Sequence, residues 1–137
     1  MTLVTEVKPD HVLMTFEGQV EESFPTQFPE QLVQAAIAHQ CTKVLADLRK
    51  VEGSLTTMQR YTMGEVGAQK YRSALVERKI SHCRFALVAN PPLMDPNKFG
   101  ETVATNRGMA VGIFSSFQHA SDWLRKSPAP SEENNPK

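Results

Sequence analysis

The segment from residue 49 to residue 61 concentrates cationic and hydroxyl-bearing side chains. Its guanidinium and ammonium groups can receive an acidic partner or a phosphate, and its hydroxyls can themselves be modified. The segment follows an apolar run of strand length, and ligands of α/β proteins gather at the carboxyl ends of such strands. We therefore predict a binding surface made of Arg49, Lys50, Ser54, Thr57, Arg60 and Tyr61.

A second group of reactive side chains comprises His39, Cys41, His82 and Cys83. Two histidines and two cysteines would suit a tetrahedral zinc ion if the segments that carry them were neighbours. His82 and Cys83 are adjacent, however, and adjacent residues of an extended chain point to opposite faces. We therefore predict buried thiols and surface histidines, with no metal site.

The familiar catalytic and nucleotide-binding motifs are missing from the sequence. It contains no G-x-G-x-x-G or G-x-x-x-x-G-K-[ST] run that would cradle a phosphate, and no G-x-S-x-G nucleophile elbow. His11 and His119 have no sequence context that supplies a nucleophile or an oxyanion partner. We predict no cofactor and no catalytic residue, which favours a non-enzymatic role.

Length and composition indicate one globular domain. The chain has 137 residues and a net charge of zero, so it lacks the basic excess of a typical nucleic-acid-binding protein. The sequence contains no run of 18 apolar residues, so we predict no membrane span. Two cysteines are too few for a secreted disulfide scaffold. We predict a cytoplasmic protein with a folded domain over residues 1–126 and a disordered proline-rich tail over 127–137.

The apolar pattern predicts five strands and four helices in the order β-β-α-β-α-β-α-β-α. Residues 3–8 and 11–16 form a hairpin around Pro9-Asp10, and alternation of strands with helices afterwards implies a largely parallel sheet. The fold class is therefore α/β with one mixed sheet. The later strands are predicted at 43–48, 83–89 and 109–114.

Local signals place the loop and helix starts. Residues 49–54 read as a polar loop, and Thr56 with Gln59 matches a capping box at the start of the second helix. Further helix starts are predicted after Pro29, at Asp95-Pro96 and at a second box, Ser115 to Gln118.

Several ordered segments resemble the bacterial STAS-like proteins related to the anti-anti-sigma factors. Asp47-Leu48-Arg49 is similar to the end of the middle strand of that group, and Ala120-Ser121-Asp122-Trp123-Leu124 to its last helix. Between them lie Phe85-Ala86-Leu87-Val88-Ala89, Phe99-Gly100, Asn106-Arg107-Gly108 and Val111-Gly112-Ile113-Phe114. The resemblance covers roughly residues 3–126 and implies a single STAS-like domain that acts as a regulatory module.

Some members of that group are switched by phosphorylation of a Ser or Thr at the helix start after the middle strand. Ser54 is the nearest hydroxyl here, but the Asp-Ser-Ser/Thr-Gly run of the phosphorylated members is absent. The resemblance thus implies a protein-interaction module with an unidentified protein partner, and it leaves a homodimer open.

An alternative function is the binding of a small molecule or lipid fragment. An apolar pocket between the helix that starts near Thr56 and the sheet would serve, lined by Met58, Tyr61, Met63 and Phe99. Methionines give soft, adaptable surfaces that suit either function.

Overall fold

The computed structural model describes residues 1–95 and 97–126. The predicted tail at 127–137 and the predicted helix-starting Pro96 lie outside the described residues. The elements are β1 Thr2–Val7, β2 Val12–Gln19, α1 Phe24–His39, β3 Lys43–Glu52, α2 Thr57–Val76, β4 Arg84–Val88, α3 Phe99–Asn106, β5 Ala110–Phe114 and α4 Phe117–Arg125. This order confirms the predicted succession of strands and helices.

The five strands form one mixed sheet in the order β1-β2-β3-β4-β5. β1 pairs with β2 in antiparallel fashion, as the predicted hairpin requires, and every later pair is parallel. Val44 of β3 lies between Val12 of β2 and Phe85 of β4. The carboxyl ends of β3, β4 and β5 therefore lie side by side at the same end of the sheet.

Helices cover the two faces of the sheet unequally. Val44 and Ala46 of β3 point into the larger core, which is built with α1, α2 and α3. Leu45, between them, points the other way, into a smaller core with Ala120 and Leu124 of α4. This alternation is the period of two expected of a strand buried on both faces.

The structure corrects the predicted end of the third strand. Residues 49–52 continue β3 instead of forming a loop, and Val51 is buried. Lys50 and Glu52 pair only with β2, at Glu17 and Gln19, because β4 ends at Val88 beside Asp47. A register shift between Thr15 and Glu17 adds one residue to β3 there.

Three helix starts also differ from the prediction. α1 begins at Phe24, with Pro25 in its first turn, because Phe24 stacks on Phe28 at 5.0 Å and both rings are buried. α3 begins at Phe99 instead of at Asp95. The cap of α4 is Ser116, one residue after the predicted Ser115, and its hydroxyl accepts a hydrogen bond from the backbone N–H of His119 at 3.2 Å.

Candidate functional site

The capping box at the start of α2 is formed as predicted. The Thr56 hydroxyl accepts a hydrogen bond from the Gln59 backbone N–H at 3.0 Å, and the Gln59 side chain accepts one from the Thr56 backbone N–H at 2.8 Å. The reciprocal pair satisfies amides that a helix end leaves free. α2 thus starts at a fixed residue beside the carboxyl end of β3.

Arg49 is committed to a contact within the sheet. Its Nε and Nη2 donate to the Asp47 carboxylate at 2.9 and 2.8 Å, and its backbone N–H donates to Asp47 Oδ1 at 3.1 Å. The guanidinium carbon also lies 5.1 Å from the centre of the Phe117 ring, within cation–π range. Arg49 therefore joins the end of β3 to the start of α4.

The Asp47 carboxylate is held in its charged form. Its partial burial alone would raise the pKa, but the hydrogen bonds from the Arg49 side chain and backbone outweigh burial and lower the pKa of Asp47. This charged contact, made through two side-chain hydrogen bonds, lies at the register shift in β3.

Arg60 is also occupied by a structural contact. Its Nη2 donates to the carbonyl oxygens of Pro92 and Leu93, each at 3.1 Å. Both acceptors lie in the loop between β4 and α3. Arg60 therefore connects the first turn of α2 to that loop.

Tyr61 lies in the seam between α2 and α3. Its hydroxyl donates to Glu65 Oε2 at 3.1 Å, and the Arg107 guanidinium lies 5.5 Å from the centre of its ring. Arg107 also approaches Glu65 at 4.0 Å. Tyr61 therefore contacts both α2 and the end of α3.

Four exposed side chains of residues 49–58 form no hydrogen bond or ion pair within the described chain. Lys50, Ser54 and Thr57 are exposed and were predicted. Met58 is 70% exposed, although the sequence predicted it in the lining of an apolar pocket. We call Lys50, Ser54, Thr57 and Met58 the α2 entrance surface. It offers one cation, two hydroxyls and one flexible apolar side chain.

An apolar cavity of about 50 Å³ lies behind this segment, between α2, the sheet and the loop that leads to α3. Met63 lines it as the ligand-binding alternative predicted, but Met58 and Tyr61 do not, and the side chain of Phe99 is outside the described set. Small-molecule sites usually measure about 300–1,000 Å³. The cavity is therefore too small to support the ligand-binding alternative. It is lined by Phe24, Leu48, Leu55, Arg60, Met63, Leu87, Ala89, Leu93, Met94, Asp95, Lys98, Gly100 and Ile113.

The two thiols lie near each other at the amino ends of β3 and β4. Cys83 is buried, and its Sγ donates to the carbonyl oxygens of Ser81 at 3.1 Å and Cys41 at 3.4 Å. Burial, with a smaller effect of neighbouring Cys41, raises the pKa of Cys83 to about 12. Across the described ranges, no three His, Cys, Asp or Glu residues are placed to hold a metal ion.

Comparison with solved structures identifies the architecture. An anti-sigma factor antagonist from Mycobacterium paratuberculosis superposes with a TM-score of 0.54 and 18% identity, over 90% of this chain and 93% of that chain. This is the STAS-like fold. No sequence profile of a known family and no curated protein matches the chain by sequence.

Two further structures with the STAS-like fold are less similar. SpoIIAA, an anti-sigma factor antagonist in its unphosphorylated form, gives a TM-score of 0.49 and 13% identity, over 92% of this chain and all of that one. A DUF3478 protein with a SpoIIAA-like fold from Shewanella loihica gives a TM-score of 0.47 and 18% identity, over 90% of this chain and 92% of that chain. Within the described residues, no helix of this STAS-like domain is long and apolar enough to cross a membrane.

Proposed function

We propose that the chain is a non-enzymatic regulatory module that binds another protein through the α2 entrance surface. The exposure of Met58 carries this proposal. A methionine that is 70% exposed in the first turn of a well-capped helix provides an apolar contact. Ser54 and Thr57 are close to it in sequence, and their exposed hydroxyls form no hydrogen bond within the described residues, so they offer a polar rim.

The chemistry of this surface defines the kind of partner. Lys50 would face an acidic group, Met58 would enter an apolar depression, and Ser54 and Thr57 would donate or accept hydrogen bonds around it. The solved structure with the same fold is named as an antagonist of an anti-sigma factor. By analogy of fold, we propose a protein partner for this chain as well.

Arg49 and Arg60 hold the segments that carry this surface in place. Arg49 holds the end of β3 through Asp47, and Arg60 holds the first turn of α2 through the carbonyls of the β4–α3 loop. We propose that they position the docking residues without contacting the partner. We also propose a cytoplasmic location, where the free thiols Cys41 and Cys83 stay reduced.

A matched pair of double variants tests the docking surface. Lys50→Glu with Met58→Asp reverses the charge and removes the apolar contact at the α2 entrance surface. Lys70→Glu with Val76→Asp makes the same changes at exposed residues in the second half of α2. Each tagged protein is used as bait in its own host, and recovered proteins are quantified by mass spectrometry. A partner found in this way is then titrated by calorimetry.

We expect the partner to be retained by the wild-type protein and by the Lys70/Val76 variant, and to be lost from the Lys50/Met58 variant. Circular dichroism must show that both variants are folded. Equal binding of an identified partner by both variants would show that docking occurs elsewhere. Specific recovery of a small molecule, with no protein, would favour the ligand-binding alternative.

A further inference from the structure

The two edge strands of the sheet, β1 and β5, differ in whether their outward backbone groups have hydrogen-bond partners. At the β5 edge, the Glu101 carboxylate of α3 accepts a hydrogen bond from the Ile113 backbone N–H at 2.7 Å. At the other edge, β1 pairs with β2 alone. An edge strand with free amides is a template for another strand unless it is blocked. The β5 edge is blocked in this way, and the β1 edge is open.

The hairpin register identifies the backbone groups that point outward from β1. The Lys8 N–H donates to the His11 carbonyl at 2.8 Å, so this pair closes the hairpin. Antiparallel pairs alternate between bonded and non-bonded, which directs the N–H and C=O groups of Leu3, Thr5 and Val7 away from β2. In the part of the chain that the structure describes, no other group hydrogen-bonds to these three residues.

Among the residues that the structure describes, side-chain exposure shows that no helix covers this edge. Val7 is 65% exposed and Thr5 is exposed, although both lie on the sheet face that carries α1. Val4, on the opposite face, is 53% exposed, because α4 packs over β3, β4 and β5. A second strand could therefore approach β1 without meeting a helix.

We propose that β1 pairs with β1 of a second copy of this chain, antiparallel, around a two-fold axis that passes through Thr5. An axis perpendicular to the sheet keeps each face continuous, so residues of the same face pair. Thr5 then lies opposite Thr5 of the second copy, and Leu3 lies opposite Val7. Every outward amide and carbonyl of these three residues gains a partner in this register.

The side chains fit the same register. Val7 would be covered by Leu3 of the second copy, and Glu6 would oppose Val4 instead of another acid. Lys8 would lie beside Thr2 of the second copy, with Glu17 of that copy one strand further. Two strand spacings are about 9–10 Å, which extended Lys and Glu side chains span together. Glu17 is exposed and has no ion pair within the described chain. Lys8 pairs with Glu6 of its own strand at 3.2 Å on the surface, and in the dimer it can reach Glu17 of the second copy as well.

Sedimentation equilibrium of the purified protein tests the assembly. We expect wild type to form a dimer and Thr5→Pro to be monomeric, because proline removes an outward N–H that β2 does not use. Val7→Lys should raise the dimer dissociation constant at least about tenfold, equivalent to about 1.4 kcal/mol. Val76→Lys, at a site 76% exposed on α2, is the matched control and should leave the constant unchanged.

Oxidative cross-linking tests the register. Thr5→Cys should give a disulfide-linked dimer, because directly opposed residues of a bonded pair have Cα atoms about 5.5 Å apart, within disulfide range. Val4→Cys should not, because its opposite residue is Glu6. Wild type, with Cys41 and Cys83, measures the background. A wild-type monomer, a dimer indifferent to Thr5→Pro and Val7→Lys, or efficient cross-linking through Val4→Cys would each overturn the proposal.

Discussion

At the level of single residues, the three cationic side chains Arg49, Lys50 and Arg60 differ in what they contact. Arg49 binds Asp47, Arg60 binds two carbonyl oxygens of a loop more than thirty residues away, and Lys50 remains exposed. Residue type indicated what each could bind but not where it would bind. The partner of Arg60 depends on how the β4–α3 loop packs against α2, which no local pattern specifies.

Replacing Asp47 with Asn should destabilise the domain by about 1 kcal/mol at pH 7. A hydrogen bond to a charged group contributes about 1.5–3 kcal/mol, and the 45% exposure of the Arg49 side chain reduces this through solvent screening. Urea denaturation of Asp47→Asn and wild type measures the difference. Glu77→Gln, in an exposed ion pair with Lys79, is the control and should change stability by less than about 0.5 kcal/mol.

The same substitution predicts a pH dependence. Because the folded pKa of Asp47 is lowered, its contribution is complete above the unfolded pKa of about 4 and is lost as pH falls through the folded value. The stability gap between wild type and Asp47→Asn should therefore be constant from pH 7 to about pH 5 and narrow in more acidic solution. A gap that widened on acidification would contradict the charged contact.

At the level of secondary-structure elements, the glycines of α2 show how helices approach one another. A Cβ added at Gly64 would lie 2.8 Å from the Gly100 carbonyl oxygen and 2.8 Å from Val103 Cβ, both in α3. A Cβ at Gly67 would lie 3.3 Å from Pro29 Cβ of α1. Gly64 thus packs closely on α3, and Gly67 packs on α1 and on Met109.

Gly64→Ala and Gly67→Ala should therefore differ in effect. Both gain about 1 kcal/mol of helix propensity, but Gly64→Ala forces α3 away from α2, which costs about 1–3 kcal/mol or more. We expect Gly64→Ala to lower the midpoint of thermal unfolding and Gly67→Ala to leave it nearly unchanged. Equal midpoints for the two variants would contradict the close contact at Gly64.

Elements with a strong local signal were predicted well, and elements fixed by distant partners were not. The Thr56 capping box was predicted because both hydrogen bonds lie within four residues. The end of β3 was not, because residues 49–52 have one neighbouring strand and expose most of their side chains, so the apolar pattern ends early. The exposure of Met58 was missed for a related reason, since helical spacing alone does not show which turn overhangs the core.

At the level of the whole molecule, two cores of unequal size share one sheet. α1, α2 and α3 bury the larger core, and α4 covers the smaller one, which contains Leu45, Ala86 and Val88. The largely parallel arrangement followed from the alternation of strands and helices in the sequence. The open β1 edge did not, because an edge exists only relative to the complete sheet.

The smaller core depends on a few side chains, so Leu124→Ala should be costly. Leu124 is 1% exposed, and truncation of a buried leucine costs about 2–5 kcal/mol. Chemical denaturation should show this loss, whereas Val76→Ala at an exposed site of α2 should change stability by less than about 0.5 kcal/mol. A small effect of Leu124→Ala would mean that α4 is only loosely held on the sheet.

The strand order also governs how the chain folds while a ribosome makes it. Because β1 to β5 follow one another across the sheet as they do along the chain, each strand emerges beside an edge that already exists, and none must insert between two others. The sheet face that carries Leu45 and Val88 is covered last, because residues 117–125 form the helix that packs on it. Between the synthesis of β4 and that of α4 this apolar face has no helix on it, so we expect the nascent chain to expose it to chaperones during that interval.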